Sequence, residues 1–299
     1  DVYFNWNIPA YSDAHHETLM KHPAAQRAAI LVAAEQYHLA EAELRRININ
    51  KSPALREALL AYTQYEDLPS LALKIGQAVP HPDGGFYDAA LFPLCPRDPQ
   101  GGYKIDRALI HALIRQESRF DTFAESHSGA AGLMQLMPNT ASYIARDKRF
   151  KSREGRHSLK DPQINLDLGQ RYVQSLLKDS VIDDELFSLL ISYNAGPGNF
   201  SKWKREHAAM RNDPLLFIES IPMAETRDFV ERVMANYWIY RQRMGQPAPS
   251  LERVAKGEWA QYVSLDGQYN KLADSTKKKS EDEGDSKPAY QTASSRNYN

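Results

Sequence analysis

The chain is poor in features that would assign it quickly. It has one cysteine, Cys95, in 299 residues, which excludes an intramolecular disulfide and a cysteine-rich metal site. Cys95 reads as a small apolar packing residue, and a lone thiol fits cytoplasm and periplasm equally well. Neither sign of charge dominates: 37 basic residues face 38 acidic ones, so nothing supports nucleic-acid binding or a polybasic membrane surface. No apolar run approaches the roughly 18 residues of a spanning helix. No convincing period-two alternation marks a strand. His15-His16 lacks a spaced partner and reads as a surface pair, so neither metal nor cofactor is expected. The chain opens on Asp1, without an initiator Met or a signal peptide, as a processed or trimmed product would; an export signal or lipid anchor would lie outside it.

What is present is ordinary globular material. Hydrophobic residues make up 42% and charged residues 25% of the chain, and about 150 residues per domain implies two domains. Residues 1–100 carry 8 basic and 12 acidic side chains, and residues 101–250 carry 21 and 18. The slightly cationic middle suits a polyanionic substrate but decides little. Residues 23–79 show helical spacing rich in Ala, Leu and Glu, broken by NINKSP. A slide of 29 places pairs Ile30 with Leu59, Leu31 with Leu60, Leu39 with Leu68 and Leu44 with Leu73. This reads as two copies of a helical hairpin, or as two unrelated amphipathic hairpins. Stacked repeats usually need about three copies for stability, so the end of a longer array, or support from the next domain, is expected. Residues 80–103 are dense in Pro and Gly and read as a connecting segment. Helical patterning returns from Lys104 to about Met244. From Ala273 onward there is no Leu, Ile, Val, Met, Phe or Trp, so the tail is expected to be disordered.

Four stretches could carry chemistry. In ALIHALIRQESRFD, residues 108–121, the apolar stripe of Ile110, Leu113 and Ile114 runs into Glu117. A carboxyl group on an apolar stripe is partly desolvated, which raises its pKa and suits it to donate a proton near neutrality. A helix-end Glu paired with Arg115 or Arg119 would show the same spacing. In HSGAAGLMQLMPNTA, residues 127–141, small residues suit a loop passing close to a ligand or another backbone, and Pro138 suits a first helical turn. In LFSLLISYNAGPGNF, residues 186–200, an apolar stripe ends in Tyr193 and Asn194 before the breaker Gly196-Pro197-Gly198. In SIPMAETRDFVERVMANYWIY, residues 220–240, Glu225 opens a helix, where free amides favour a carboxylate.

In this order, Glu117-Ser118, GLMQLMP, SYNAGPG and IPMAETRDFV resemble the soluble lytic murein transglycosylases. The resemblance spans residues 104–243 and includes DPQINLDLGQRYV, with Asn165, Gly169 and Tyr172 in the pattern. Ser192 departs from it, since Ala usually precedes the Tyr-Asn pair, and so does Phe229, which is often Tyr. The resemblance implies a mainly α protein, with a helical-hairpin region and linker over 1–100. A lysozyme-like catalytic domain would follow over 101–250, and then a C-terminal extension over 251–299, disordered from about 273.

It further implies cleavage of the β-1,4 bond between N-acetylmuramic acid and N-acetylglucosamine in peptidoglycan, without water, leaving 1,6-anhydro ends. Periplasmic location follows from that substrate. By motif position Glu117 is the catalytic residue. Ser126 and Gln135 match contacts to the sugar or reacting centre, and Met137 matches an apolar cleft contact. Tyr193 and Asn194 match the pair beside the acid, Glu225 a cleft carboxylate, and Tyr240 a tyrosine of the final helix. Asp121 is a candidate second carboxylate, with which the enzyme would be a hydrolytic muramidase. A reading of another class is a non-catalytic helical scaffold or glycan-binding module.

Overall fold

Proline sets where helices begin in this chain. Its fixed φ and missing N–H suit the first helical turn, where the N–H would go unused. The computed structural model describes residues 4–267, and eight helices in it start on a proline. The expected disorder from Ala273 lies outside the described residues. Among these there are fifteen α-helices and no strand, only isolated bridges such as Glu125 to Ala131 and Ala131 to Leu136. The chain divides into two compact units between Pro96 and Arg97.

The first unit holds α1 (Asp13–Met20), α2 (Pro23–Ala33), α3 (Tyr37–Leu44), α4 (Pro53–Tyr65), α5 (Pro69–Gly76) and the short α6 (Asp88–Leu91). The slide of 29 aligns α2 with α4 and α3 with α5. Both hairpins turn in one way. Glu35 and Asp67 take left-handed φ of 57° and 53°. The next amide then reaches back five residues, Gln36 to Leu31 O and Leu68 to Thr63 O, each at 2.8 Å. This is the closing bond of a Schellman turn. Burial differs between the copies: Leu59 and Leu68 are core residues, while their counterparts Ile30 and Leu39 are exposed. Part of the Pro- and Gly-rich stretch is also built into this unit. Tyr87 and Ala90 join its core. Gly76 makes room, since a Cβ there would lie 2.7 Å from that of Ala90.

The second unit holds α7 (Arg107–Glu117), α8 (Pro138–Ala145), α9 (Arg153–Ser158), α10 (Pro162–Leu177), α11 (Leu186–Ala195), α12 (Pro197–Glu206), α13 (Pro214–Glu219), α14 (Ala224–Arg243) and α15 (Pro249–Ala255). Residues Ala108 to Ile114 of α7 are all buried, so this helix is surrounded and α14 packs along it. The two run antiparallel. Arg115 Nη1 donates to Asn236 Oδ1 at 2.8 Å, and the His111 ring lies 5.4 Å from that of Tyr240.

A buried ion pair closes the far end of these helices. Asp106 and Arg241 meet at 2.5 Å. Arg241 also donates to Gln246 Oε1 and Val263 O, each at 2.6 Å, and to the Tyr237 hydroxyl. Asp106 accepts from the Leu265 amide at 2.9 Å, the Asp266 amide at 3.1 Å and the Ser264 hydroxyl at 3.0 Å. Every charge is matched, as a buried ion requires. Residues 251–267, set apart above as an extension, thereby complete this unit and clamp the start of α7 to the end of α14.

Candidate active site

Glu117 is the last residue of α7, because Arg119 and Phe120 then take left-handed φ of 52° and 66° and end the helix. Phe120 tucks back into the core. The carboxyl group therefore sits at the negative end of the helix dipole, which disfavours ionisation. No hydrogen bond or ion pair joins it to another described residue. Burial, followed by repulsion from Glu225, pushes its pKa up to about 8. A pairing with Arg115 or Arg119 is not formed; Arg115 turns to Asn236 instead.

Three further elements bring their ends to this point. On α11, the Tyr193 hydroxyl donates to Met134 O at 2.7 Å, and its ring stacks on Phe229 with an interplanar angle of 6°. Tyr172 of α10 backs the same ring at 5.3 Å. Burial, then the Glu117 charge, raises the Tyr193 pKa, so the phenol stays a neutral donor. Asn194 Oδ1 accepts from the Thr226 hydroxyl at 2.7 Å, tying the end of α11 to the start of α14 beside Glu225. Gly196, at φ 87° and ψ 147°, lets α12 start directly on Pro197. The opposite end of α11 is capped by buried Glu185, which accepts from the Phe187 amide at 2.9 Å and the Ser188 amide at 2.6 Å. Burial lifts this carboxyl to about 7 against the lowering effect of those amides.

The loop of residues 131–136 supplies the remaining wall. Buried Asn165 holds it: Nδ2 donates to Ala131 O and Leu159 O, and Oδ1 accepts from the Met134 amide, all at 2.8 Å. Gly132, at φ 78°, passes so close that a Cβ would fall 2.1 Å from Leu159 O. Gly169 makes room for the Met134 sulfur, which a Cβ would approach to 2.2 Å. Gln135 sits at φ 44°, a strained value for a non-glycine residue. Its Nε2 donates to Gly132 O at 2.9 Å and Ala124 O at 3.1 Å, leaving Oε1 as an acceptor. The Ser126 hydroxyl accepts from the Ala130 amide at 2.9 Å, and Met137 is exposed at the cap of α8.

Glu117, Tyr193, Asn194 and Glu225 thus form one group, with Gln135 on the loop that Tyr193 anchors. Tyr240 lies on α14 within the core. It is fully buried against His111, whose own pKa burial lowers to about 4. Asp121 is not on the helix of Glu117. Its Oδ1 accepts from the Phe123 amide at 2.9 Å in a local turn. Thr226 and the carbonyl of Met134 escaped sequence reasoning, and Asn165 and Gly169 entered it only as pattern members. A helix-interior glycine four residues after an Asn is a usable sign of such close approach.

A profile described as "Transglycosylase SLT domain" matches residues 95–215. Over these residues the chain is similar to the transglycosylase SLT family. Its curated relatives include the soluble lytic murein transglycosylases of Escherichia coli K12 and Salmonella typhimurium. The first is 35% identical over 172 residues, covering 56% of this chain and 26% of the relative. The second is 36% identical over 145 residues, covering 48% and 22%. The chain thus spans about a quarter of the length of these relatives. Among solved structures, the 70-kDa soluble lytic transglycosylase of E. coli superposes with a TM-score of 0.65 at 27% identity, over 81% of this chain and 39% of that one. The same enzyme type in complex with bulgecin A gives 0.66 at 27% identity, over 87% and 41%. The SLT domain here is a helical, lysozyme-like fold, as the motif order implied.

Proposed function

We propose that this chain is a peptidoglycan lytic transglycosylase of the periplasm. It would cleave between N-acetylmuramic acid and N-acetylglucosamine and leave a 1,6-anhydro end. The observation that carries this is the state of Glu117: a carboxyl group without a cation, held near pKa 8 by burial and a neighbouring carboxylate. Such a group is protonated at neutral pH and can serve in turn as acid and base. Glu117 protonates the leaving glycosidic oxygen while the substrate's 2-acetamido oxygen stabilises the anomeric carbon. The Glu117 carboxylate then takes the proton of the sugar 6-hydroxyl, whose oxygen closes onto the anomeric carbon. Proton and oxygen balance without water.

Tyr193 fixes the wall opposite the acid through Met134 O, and Asn194 aligns α11 with α14. Gln135 Oε1 and the Ser126 hydroxyl are available to sugar hydroxyls, and Met137 offers an apolar edge. Burial and, after it, the neighbouring Glu225 keep Glu117 protonated. Asp121, whose Oδ1 accepts from the Phe123 amide at 2.9 Å, is the carboxylate that the hydrolytic alternative would use, and the mass of the products separates the two readings. Support also comes from a 25%-identical Pseudomonas aeruginosa lytic transglycosylase with a TM-score of 0.58, described in an inactive glutamate-to-glutamine form.

The test is Glu117→Gln on purified sacculi. Loss of a general acid should lower turnover by about 10²–10⁴-fold, with the fold unchanged by circular dichroism. Wild-type products should be lighter by one water than hydrolysed reducing ends in mass spectrometry. Turnover near the wild-type rate by the Gln variant, or reducing ends from the wild type, would overturn the proposal.

A further inference from the structure

Two polar side chains stand at the end of α11, and the fold grips each by one atom. The Tyr193 hydroxyl gives its proton to Met134 O at 2.7 Å. Asn194 lies half-buried at the next position, and its side chain bonds one described residue, the Thr226 hydroxyl, at 2.7 Å. Thr226 is in the first turn of α14 and is wholly buried. A helical threonine commonly returns its hydroxyl to a carbonyl three or four residues back. This one crosses to α11 instead.

That bond has a direction. A hydroxyl carries one proton, and a buried hydroxyl must place it on an acceptor. Among the described residues Asn194 Oδ1 is the acceptor that Thr226 uses. Turning the amide over would set its NH2 group against the hydroxyl oxygen and strand the hydroxyl proton in the interior. The amide is therefore locked with Oδ1 toward α14. Its Nδ2 group faces the other way and donates to no described residue. We propose that Thr226 is a positioning residue. By holding Oδ1 it keeps Asn194 Nδ2 as a fixed donor for an acceptor oxygen of the bound glycan, and it keeps the amide carbonyl from facing that oxygen. Without Thr226 the amide would present either end. This rests on the peptidoglycan reading above.

The test is a mutant cycle in the full chain, read as turnover of purified sacculi. Thr226→Val keeps the shape of the side chain and removes the hydroxyl, and should lower turnover about tenfold. Thr226→Ser, which keeps the hydroxyl, should recover most of that loss. On an Asn194→Ala background Thr226→Val should cost nothing further in turnover, whereas a purely structural role would lower turnover on both backgrounds alike. A second measurement needs no change at Thr226. In the Glu117→Gln chain labelled with nitrogen-15, the Asn194 NH2 should give one set of resonances that moves downfield as the β-1,4 tetramer of N-acetylglucosamine is added. Wild-type turnover by Thr226→Val, an equal loss on both backgrounds, no recovery with serine, or Asn194 resonances unmoved by the tetramer would each overturn the proposal. Failure of the parent reading looks different: the wild type would yield reducing ends in place of anhydro ends, while the coupling of Thr226 to Asn194 persisted.

Discussion

Two acids mark the two ends of α7, and the fold treats them in opposite ways. Asp106, at the N-cap, is buried with a guanidinium, two backbone amides and a hydroxyl around it. Glu117, eleven residues on, is left without a cation beside another carboxylate and a phenol. One end spends its charge on holding distant segments together. The other withholds compensation, so that a proton is retained. Rigidity at the first end is what allows the second to be kept unsatisfied without the helix shifting to relieve it.

Breaking the paired end should have the larger effect on stability. Asp106→Ala strands the Arg241 charge in the interior and should cost about 3–5 kcal/mol, read as a fall in denaturation midpoint, with activity lost only in step with unfolding. A cost below about 1 kcal/mol would mean that the clamp is decorative.

Changing the unpaired end should do the reverse. The folded pKa of Glu117 is raised, so its contribution to stability is fully present below the unfolded carboxyl pKa. That contribution is lost as pH rises through about 8. Glu117→Gln removes this penalty. At pH 9 it should be more stable than wild type by on the order of 2–4 kcal/mol, discounted for partial exposure, and equal to it near pH 4. Glu185, also raised, is present in both proteins and cancels from the difference.

Between these extremes lies the loop support. Asn165→Ala leaves the Met134 amide and two carbonyls without partners and should cost about 1–3 kcal/mol. Because the same loop anchors Tyr193, activity should fall by more than the folded fraction does. The smallest change goes the other way. Ser192 is wholly buried and its hydroxyl has no partner among the described residues. Ser192→Ala should therefore stabilise by about 1 kcal/mol in chemical denaturation.

Much of the site was legible because its signals are local. A carboxylate on an apolar stripe, a Tyr-Asn pair before Gly-Pro-Gly and an acid opening a helix each lie within a few residues. Their order carried the family resemblance. The end of α7 was not legible. It depends on two consecutive left-handed residues, Arg119 and Phe120, whose side chains announce nothing of the kind. Tyr240 satisfied the helical pattern, but α14 is buried on that side, and periodicity does not say how far a stripe lies from a cleft. The Asp106–Arg241 clamp joins residues 135 apart in sequence, with no short-range mark. Its dependence on residues 263–266 is why the segment after 250 read as an extension. In the first unit, the repeat predicted helix order but not burial, since Ile30 and Leu59 occupy matched positions in different surroundings.

The most direct measurement is a carboxyl-carbon NMR titration of Glu117, assigned by comparison with Glu117→Gln, alongside the pH dependence of turnover. A midpoint near 8, with activity falling as pH rises through it, is the expected result. A midpoint in the range of a free glutamic acid, about 4.3, would mean that the group is ionised at neutral pH and cannot be the proton donor.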